Sequence, residues 1–257
     1  MFLFLRSSLI SLALVVSAHA ASITAQSYIV TDLEGKILIE KNADEVRSIA
    51  SITKLFTVRA AASYDPSELI EILPEDLKVG RMRSTPLRVH QLYSRSQLIE
   101  LALVSSDNVA ALALGRTELP PMVLPENTRI VEASGLDPRN VSTARELAEV
   151  ARSLANTELA KTSIQPVTVL GIARRSTNPL LTKPGWSFSL SKTGYIAAAG
   201  GCLVVIFEML DKPVVAVILG SSGVPGRWRD LIELRHQLTG EPEEKVSARH
   251  SRSRRHK

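Results

Sequence analysis

The stretch SITKLFTVRAAA at residues 51–62 determines how the rest of the chain is interpreted, because a serine and a lysine begin an apolar helix. Leu55, Val58 and Ala61 recur at helical spacing, which predicts that one face of this helix is buried. Side chains three positions apart lie on the same side of a helix, so we expect Ser51 and Lys54 to meet. A serine hydroxyl becomes a good nucleophile only when a neighbouring base accepts its proton, and Lys54 can be that base.

Two further motifs follow in order: SDN at residues 106–108 and KTG at residues 192–194. Lys54 can act as a base only if its pKa falls, and both burial and a second nearby cation, Lys192, would lower it. Ser106 can relay a proton to a leaving amine, and Asn108 can hydrogen-bond both the lysine and a substrate amide. Together the three motifs predict a serine acyl-transfer enzyme.

The KTG motif also predicts how a substrate is held. Lys192 and Thr193 offer a cation and a hydroxyl to a substrate carboxylate, while Gly194 permits close approach of the substrate backbone. The oxyanion would be bound by two backbone N–H groups, most simply those of Ser51 and Tyr195. These residues are predicted to form the substrate-binding side of the site.

A second S-x-x-K sequence, SLSK at residues 189–192, competes with the first as the nucleophile motif. The first copy begins a helix, whereas the second overlaps KTG and precedes an apolar strand candidate at residues 202–210. We therefore predict Ser51 as the nucleophile and Ser189 as a spectator.

Composition excludes some other chemistries. Cys202 is the only cysteine, so neither an internal disulfide nor a thiolate metal cluster can form. His90 and His236 stand in no recognisable catalytic context, which disfavours a Ser/His/Asp triad. A chain of 257 residues suffices for one sizeable core or two small ones.

The first twenty residues have a positive start, an apolar middle and the small-residue sequence AHA at 18–20, which predicts a signal peptide cleaved after Ala20. The apolar stretch is short for a membrane anchor, and no later stretch is both long and uncharged enough to span a membrane. We expect an exported, periplasmic protein whose catalytic domain covers residues 21–239.

Residues 240–257 are predicted to form a disordered basic tail, because Arg, Lys, Ser and His dominate and apolar residues are almost absent. Such a tail either is simply solvated or makes an electrostatic contact with the anionic cell envelope. Nucleic acid is a poor partner for an exported protein.

Local patterns predict the fold class. Strand candidates at residues 27–33 and 36–40 flank a turn at 34–35, and candidates at 202–210 and 213–219 flank a turn at 211–212. Two further strand candidates lie at residues 167–172 and 188–190. Capping boxes at Ser94 with Gln97 and at Thr143 with Glu146 predict two helix starts, and a last helix is predicted over 230–238. Strands at both chain ends with helices between them predict an α/β (α+β) fold, with one antiparallel sheet and helices on its faces.

The chain resembles the low-molecular-mass penicillin-binding proteins over nearly all of residues 25–239. Within them it is most similar to the endopeptidase branch of the D-alanyl-D-alanine carboxypeptidase/endopeptidase family. The similarity is carried by SITKL (51–55), SGLD (134–137), NVSTAREL (140–147), STNPL (176–180) and LSKTGY (190–195).

The resemblance implies a penicillin-binding-protein/β-lactamase-like transpeptidase fold and cleavage of D-Ala-containing peptides of bacterial peptidoglycan, without metal or cofactor. It also implies that β-lactams acylate Ser51. An arginine near the last helix of the family helps to hold the substrate carboxylate. Arg227 fits that position best, with Arg229 as the alternative.

The chain also departs from related sequences. Residues 115–129 are short and proline-rich where the family usually has a longer segment with a helix. An E-x-x-L-N stretch, which supplies the deacylating carboxylate of class A β-lactamases, is missing from the sequence, so we expect slow hydrolysis of a β-lactam acyl-enzyme. A carboxypeptidase that removes terminal D-Ala and a turnover-deficient penicillin- or peptidoglycan-binding domain remain the alternative functions.

Overall fold

This computed structural model describes residues 22–80, 85–117 and 123–240. The strands are β1 (Ser27–Asp32), β2 (Ile37–Lys41), β3 (Arg47–Ser48), β4 (Leu69–Glu71), β5 (Leu92–Ser94), β6 (Val141–Ser142), β7 (Val167–Val169), β8 (Ile172–Arg174), β9 (Phe188–Ile196), β10 (Gly200–Met209) and β11 (Lys212–Ser221). The helices are α1 (Lys54–Ala61), α2 (Pro74–Gly80), α3 (Arg95–Val104), α4 (Asn108–Arg116), α5 (Ala144–Leu154), α6 (Glu158–Ile164) and α7 (Gly223–Thr239), with 3₁₀ turns at Ala50–Thr53 and Pro179–Thr182.

One antiparallel sheet joins the two ends of the chain, in the strand order β2-β1-β11-β10-β9. N-terminal strand β1 pairs directly with C-terminal strand β11, for example through Val30 opposite Ala216. This pairing confirms the predicted fold class, in which strands from both chain ends build a single sheet.

Both faces of the central strands of this sheet are buried. Along β10, Val204 and Ile206 face the core shared with α1, α3, α4 and α5, whereas the alternating residues Val205 and Phe207 face the core shared with α7. Side chains alternate across a strand, so a strand with helices on both sides reads as a continuous apolar run. The result is a three-layer arrangement of helices, sheet and helix.

Two predicted hairpins are confirmed, although one of the two turns lies at a different position. The turn between β1 and β2 uses Gly35 at a φ of +93°, a conformation that glycine adopts without strain. The turn between β10 and β11 is formed by Leu210 and Asp211, both at positive φ, and Lys212 already pairs with Met209. The turn therefore lies one residue earlier than predicted.

Helix starts agree with the caps read from the sequence. Ser94 and Gln97 form the predicted capping box at α3, and Thr143 accepts a hydrogen bond from the backbone N–H of Glu146 at α5. The side chain of Glu146, however, accepts hydrogen bonds from Asn127 and Thr128, so the second box is only half formed.

Several predicted boundaries are wrong. Helix α1 starts at Lys54, after the 3₁₀ turn that holds Ser51, and α7 starts at Gly223 and not at Asp230. Strand β9 runs beyond Leu190 to Ile196 and therefore contains the KTG motif. The strand predicted over residues 167–172 is split into β7 and β8 by a turn, and α2 and α6 were not predicted. Residues 123–129 contain no helix, while 118–122 lie outside the described residues.

Two predictions concern residues outside the described part of the chain. The signal peptide at residues 1–20 and the disordered basic tail over residues 241–257 therefore stay predictions. Within residues 22–80, 85–117 and 123–240, no helix combines the length and the apolar character needed to cross a membrane.

Candidate active site

Ser51 and Lys54 meet at the start of α1. The 3₁₀ turn carries Ser51 into position, and Ala50 before it adopts a φ of +47°, a strained conformation of the kind that clusters at functional sites. Lys54 Nζ lies 3.0 Å from Ser51 Oγ, as the spacing of the S-x-x-K sequence predicts. The lysine side chain is completely buried, although few lysines in proteins are.

Lys54 Nζ also donates to two carbonyl oxygens. Asn108 Oδ1 lies at 2.7 Å and the backbone oxygen of Ser134 at 2.6 Å. A carbonyl oxygen can only accept, so a neutral amine at this position directs its two hydrogens to these oxygens. Its lone pair then faces the Ser51 hydroxyl, which is the orientation that a general base needs.

The SDN motif spans the end of the loop between α3 and α4 and the first residue of α4. Asp107 is the N-cap of α4, because its Oδ1 accepts a hydrogen bond from Ala110 N at 3.0 Å. Ser106 adopts a φ of +56°, and its Oγ accepts a hydrogen bond from Lys192 Nζ at 2.8 Å. The cap thus anchors the loop while Ser106 and Asn108 each reach a different buried lysine.

Strand β9 forms the opposite wall of the site. Lys192 is buried on the same face of the strand as Leu190, and Gly194 lies against the 3₁₀ turn Ala50–Thr53, which we call the nucleophile turn after the predicted nucleophile Ser51. A Cβ on Gly194 would lie only 3.0 Å from both Ile49 O and Ser51 N, so a larger residue would push the turn away. Tyr195 is partly exposed beside it.

Helix α7 brings an arginine to the end of this wall. Arg227 is almost fully buried, donates to the backbone oxygen of Gly194 and has its guanidinium 4.3 Å from the centre of the Trp228 ring. Arg229 is exposed and does not line the cleft. Of the two arginines that the sequence offered, Arg227 is therefore the one next to the KTG motif.

These groups surround one open cleft of about 200 Å³. Its lining contains hydroxyls, amides and a guanidinium but no carboxylate among the residues that the structure describes. The lining residues are Ser51, Ser106, Asn108, Leu136, Thr193, Gly194, Tyr195 and Arg227. Every residue predicted for the site therefore lines the cleft, apart from the two buried lysines, which contact Ser51 and Ser106.

The second S-x-x-K sequence lies on a strand, where its spacing has the opposite effect. Residues three apart on a strand point to opposite faces, so Ser189 and Lys192 cannot meet within β9. Ser189 is exposed, whereas Lys192 is buried. This geometry agrees with the prediction that Ser189 is a spectator.

Cys202 lies on β10, opposite Gly194 in the sheet register. Burial raises the pKa of its thiol to about 11, so the thiolate needed for nucleophilic attack is disfavoured at neutral pH. Its proximity to the site therefore does not make it a competing nucleophile.

Sequence reasoning missed two contacts at the site. The backbone oxygen of Ser134 is a partner of Lys54, and Thr177 Oγ1 lies 2.5 Å from Thr193 Oγ1. Both residues fall in stretches that carry the family resemblance, but their contacts could not be read from it. A backbone carbonyl has no sequence signature, and the loops that carry these groups are distant in the chain from their partners.

The fold and the pairing of a serine hydroxyl with a buried lysine together define the class of serine acyl-transfer enzymes. The sequence profile of the D-alanyl-D-alanine carboxypeptidase family matches residues 14–117 and 124–223. The chain belongs to this family of serine DD-peptidases.

Named relatives support the same assignment. A D-alanyl-D-alanine endopeptidase of Pseudomonas aeruginosa is 33% identical over 237 residues, which cover 82% of this chain and 76% of that protein. The D-alanyl-D-alanine endopeptidase of Escherichia coli is 30% identical over 251 residues, covering 85% and 78%.

Solved structures confirm the predicted transpeptidase fold. Penicillin-binding protein 5 from Haemophilus influenzae superimposes with a TM-score of 0.74 at 24% identity, over 84% of this chain and 71% of that one. Penicillin-binding protein D2 from Listeria monocytogenes, in an ampicillin-bound form, gives 0.70 at 26% identity, over 86% and 98%.

Proposed function

We propose that this protein is an exported endopeptidase that cleaves D-Ala-containing peptide cross-links of bacterial peptidoglycan through an acyl-enzyme on Ser51. The observation that carries the proposal is the 3.0 Å contact between Ser51 Oγ and the Nζ of fully buried Lys54. Burial and the nearby Lys192 ammonium both favour a neutral amine, and only a neutral amine can accept the serine proton.

Acylation begins when Ser51 Oγ attacks the carbonyl carbon of the D-Ala residue on the acyl side of the scissile bond. The hydroxyl proton passes to Lys54 Nζ, and the carbonyl oxygen takes the negative charge. The N–H groups of Ser51 and Tyr195 bind this oxyanion. The position of Gly194 against Ser51 N supports this assignment, since it brings strand β9 close to the first of the two donors.

Collapse of this intermediate breaks the C–N bond, and Ser106 passes a proton to the leaving amine. Ser106 takes a proton in turn from Lys192 Nζ, whose hydrogen bond already points toward Ser106 Oγ. Water then attacks the ester carbon and gives a proton to Lys192 through Ser106. Lys54 returns its proton to Ser51 as the ester bond breaks, so every group regains its starting state.

Substrate binding uses the other end of the cleft. Thr193 and Arg227 offer a hydroxyl and a guanidinium to a carboxylate, and Gly194 leaves room for the peptide backbone. Because β-lactams carry a carboxylate and a reactive carbonyl, the same groups would bind them and let them acylate Ser51. Among the described residues, the cleft lining offers no carboxylate that could activate water, which supports slow release of a β-lactam acyl group.

Labelling with a fluorescent penicillin tests the nucleophile. Ser51→Ala should abolish the covalent label, and the matched variant Ser189→Ala should retain it, because Ser51 contacts Lys54 Nζ whereas Ser189 points to the opposite face of β9 from Lys192. Loss of the label in Ser189→Ala with retention in Ser51→Ala would overturn the proposal.

Cleavage of cross-links, and not removal of terminal D-Ala, is favoured by the relatives named endopeptidases at 30–33% identity, against 28% for an Escherichia coli carboxypeptidase. Purified cross-linked muropeptides separate the alternatives. Loss of dimers identifies an endopeptidase, free D-Ala identifies a carboxypeptidase, and neither product identifies a binding domain without turnover.

The short segment at residues 115–129 gives a second test of the same choice. If this short segment leaves one side of the active-site cleft more open, the cleft should accommodate a branched, cross-linked peptide and make fewer contacts with a short linear one. We expect kcat/KM to be higher on cross-linked dimers than on a linear pentapeptide ending in D-Ala-D-Ala. A preference for the pentapeptide would instead favour the carboxypeptidase.

Export is the remaining part of the proposal and rests on the signal-peptide pattern of residues 1–20. N-terminal sequencing of the protein from a periplasmic fraction should give Ala21 as the first residue. An intact first residue, Met1, would contradict cleavage after Ala20.

A further inference from the structure

The peptide group between Ser134 and Gly135 is held at both of its ends. Its carbonyl oxygen accepts the hydrogen bond from Lys54 Nζ at 2.6 Å, and its N–H donates to Glu132 Oε1 at 2.5 Å. A peptide group is planar, so fixing the N–H also fixes the direction of the carbonyl. The carboxylate of Glu132 therefore acts on Lys54 through one rigid group.

Glu132 holds the rest of this loop as well. Its Oε2 accepts hydrogen bonds from the N–H and the hydroxyl of Ser134, each at 2.6 Å. Its Oε1 accepts further hydrogen bonds from Asp137 N at 3.2 Å and Asn140 Nδ2 at 3.0 Å. Five donors thus share one carboxylate, which has about four lone pairs to offer, so none is left over. With both oxygens used in this way, Glu132 is a loop anchor and not a base for water.

The same loop is joined to the nucleophile turn. Buried Asn140 also donates to Thr53 Oγ1 at 3.2 Å, and Thr53 donates to Ala50 O at 2.7 Å. Gly135 lies so close that a Cβ on it would be 2.0 Å from Ala50 O. The loop and the turn that carries Ser51 therefore keep a defined separation.

We propose that Glu132 is a positioning residue for the general base of the reaction. Its carboxylate fixes the Ser134 carbonyl, which takes one N–H of Lys54 and so helps to aim the amine lone pair at Ser51. If the Ser134 carbonyl is lost as an acceptor or changes direction, the amine of Lys54 can rotate about the Cε–Nζ bond. Its lone pair then points at Ser51 for only part of the time. This inference rests on the proposed function, because it assigns Lys54 as the base.

The substitution Glu132→Gln tests the proposal with almost no change in volume. The amide keeps one acceptor oxygen but turns an NH₂ group toward a backbone N–H that needs an acceptor. Stopped-flow labelling with a fluorescent penicillin at several concentrations gives both the dissociation constant of the first complex and the acylation rate constant. We expect the rate constant to fall on the order of 10- to 100-fold, with little change in the dissociation constant.

A matched control separates positioning from general stability. Glu146 on α5 is another carboxylate that holds a loop, through Asn127 N at 2.7 Å and Thr128 Oγ1 at 2.7 Å, and it makes no hydrogen bond to the peptide group after Ser134. Glu146→Gln should lower the melting temperature by a similar amount and leave the acylation rate constant unchanged. Rates are compared per folded molecule, measured by circular dichroism.

A second variant covers the case in which Glu132→Gln does not fold. Glu132→Asp keeps the charge and shortens the side chain, so the acylation rate constant should fall less than in Glu132→Gln. The proposal is overturned if the rate constants of the foldable Glu132 variants match that of Glu146→Gln. An unsubstituted protein that penicillin does not label at Ser51 would instead overturn the proposed function.

Discussion

At the scale of single residues, the site depends on two buried lysines with different partners. Lys54 touches the proposed nucleophile and two carbonyl oxygens, whereas Lys192 touches Ser106 and stands beside Thr193. The first is therefore expected to act on the rate of bond formation. The second is expected to act on both proton transfer and recognition of the carboxylate.

Replacing each lysine by alanine tests this division. Lys54→Ala should lower the acylation rate constant for penicillin by roughly 10²–10⁴-fold with a smaller change in initial binding, because a proton acceptor is removed. Lys192→Ala should weaken initial binding as well, because it removes a cation near the carboxylate. Stopped-flow labelling measures both effects. The assigned roles would be contradicted if both variants lost initial binding equally and kept the acylation rate constant of the unsubstituted protein.

The thiol of Cys202 predicts a pH effect on stability. Its pKa is raised by burial from 9.0 to about 11, so between these values the unfolded chain loses a proton that the folded protein keeps. The free energy of unfolding should therefore fall with rising pH in that window, by at most about 1.4 kcal/mol per pH unit from this group. Urea unfolding at pH 8 to 11 measures the slope.

Cys202→Ala is the control for this effect, because other groups also titrate at high pH. The variant should show a shallower decline of stability above pH 9 than the unsubstituted protein. Equal slopes in the two proteins would mean that the thiol titrates alike in the folded and unfolded states.

At the scale of elements, the first turns of α7 are anchored by a buried carboxylate. Asp230 accepts hydrogen bonds from Thr24 N at 2.8 Å and from Ser221 Oγ at 2.5 Å. Thr24 Oγ1 in turn accepts from Ser222 N at 3.0 Å. These contacts tie the residues before β1 to the end of β11 and to the helix that carries Arg227.

Asp230→Asn should destabilise this junction, because the amide keeps only one acceptor oxygen for donors that now face an NH₂ group. We expect a loss of about 2–3 kcal/mol in the free energy of unfolding, measured in urea. Asp211→Asn is the matched control, since Asp211 lies exposed in a turn at positive φ, where asparagine is well tolerated. Equal losses in the two variants would contradict the anchoring role.

At the scale of the whole molecule, the sheet separates two hydrophobic cores. The cleft lies where the nucleophile turn meets β9, the strand at one edge of the sheet. The groups proposed for catalysis and substrate binding come from the 3₁₀ turn before α1, from α1 itself, from the SDN motif, and from β9 and α7. Their relative positions therefore depend on the packing of the entire sheet against the helices on both of its faces. The basic segment at 241–257 follows α7 and is separate from this machinery in the sequence.

Deleting residues 241–257 tests the proposed role of the tail. Hydrolysis of a small soluble D-Ala peptide should be unchanged, while co-sedimentation with purified cell-wall sacculi should weaken. In the full-length protein the sedimentation should also fall as salt is raised, because exposed charges are screened. Identical sedimentation of both proteins at low and high salt would reduce the tail to a solubility device.

The sequence alone was sufficient for features governed by local interactions. The pairing of Ser51 with Lys54, the caps of α3 and α5 and the hairpin at Gly35 each involve residues within a few positions of one another. Apolar strand candidates near both chain ends were enough to predict the antiparallel sheet. The interpretation of Ser189 as a spectator stays a prediction, and the exposed Ser189 and buried Lys192 on strand β9 agree with it.

Only the tertiary structure decided the contacts between distant segments. The start of α7 at Gly223 depends on its anchoring to residues before β1, and the length of β9 depends on its pairing with β10. The Ser134 carbonyl reaches Lys54 across 80 positions of the chain. A backbone carbonyl is common to every residue, and its direction is set by packing and by the hydrogen bonds of its neighbours. For that reason the sequence was enough to propose which side chains perform the chemistry, and only the folded structure showed which backbone carbonyl Lys54 contacts.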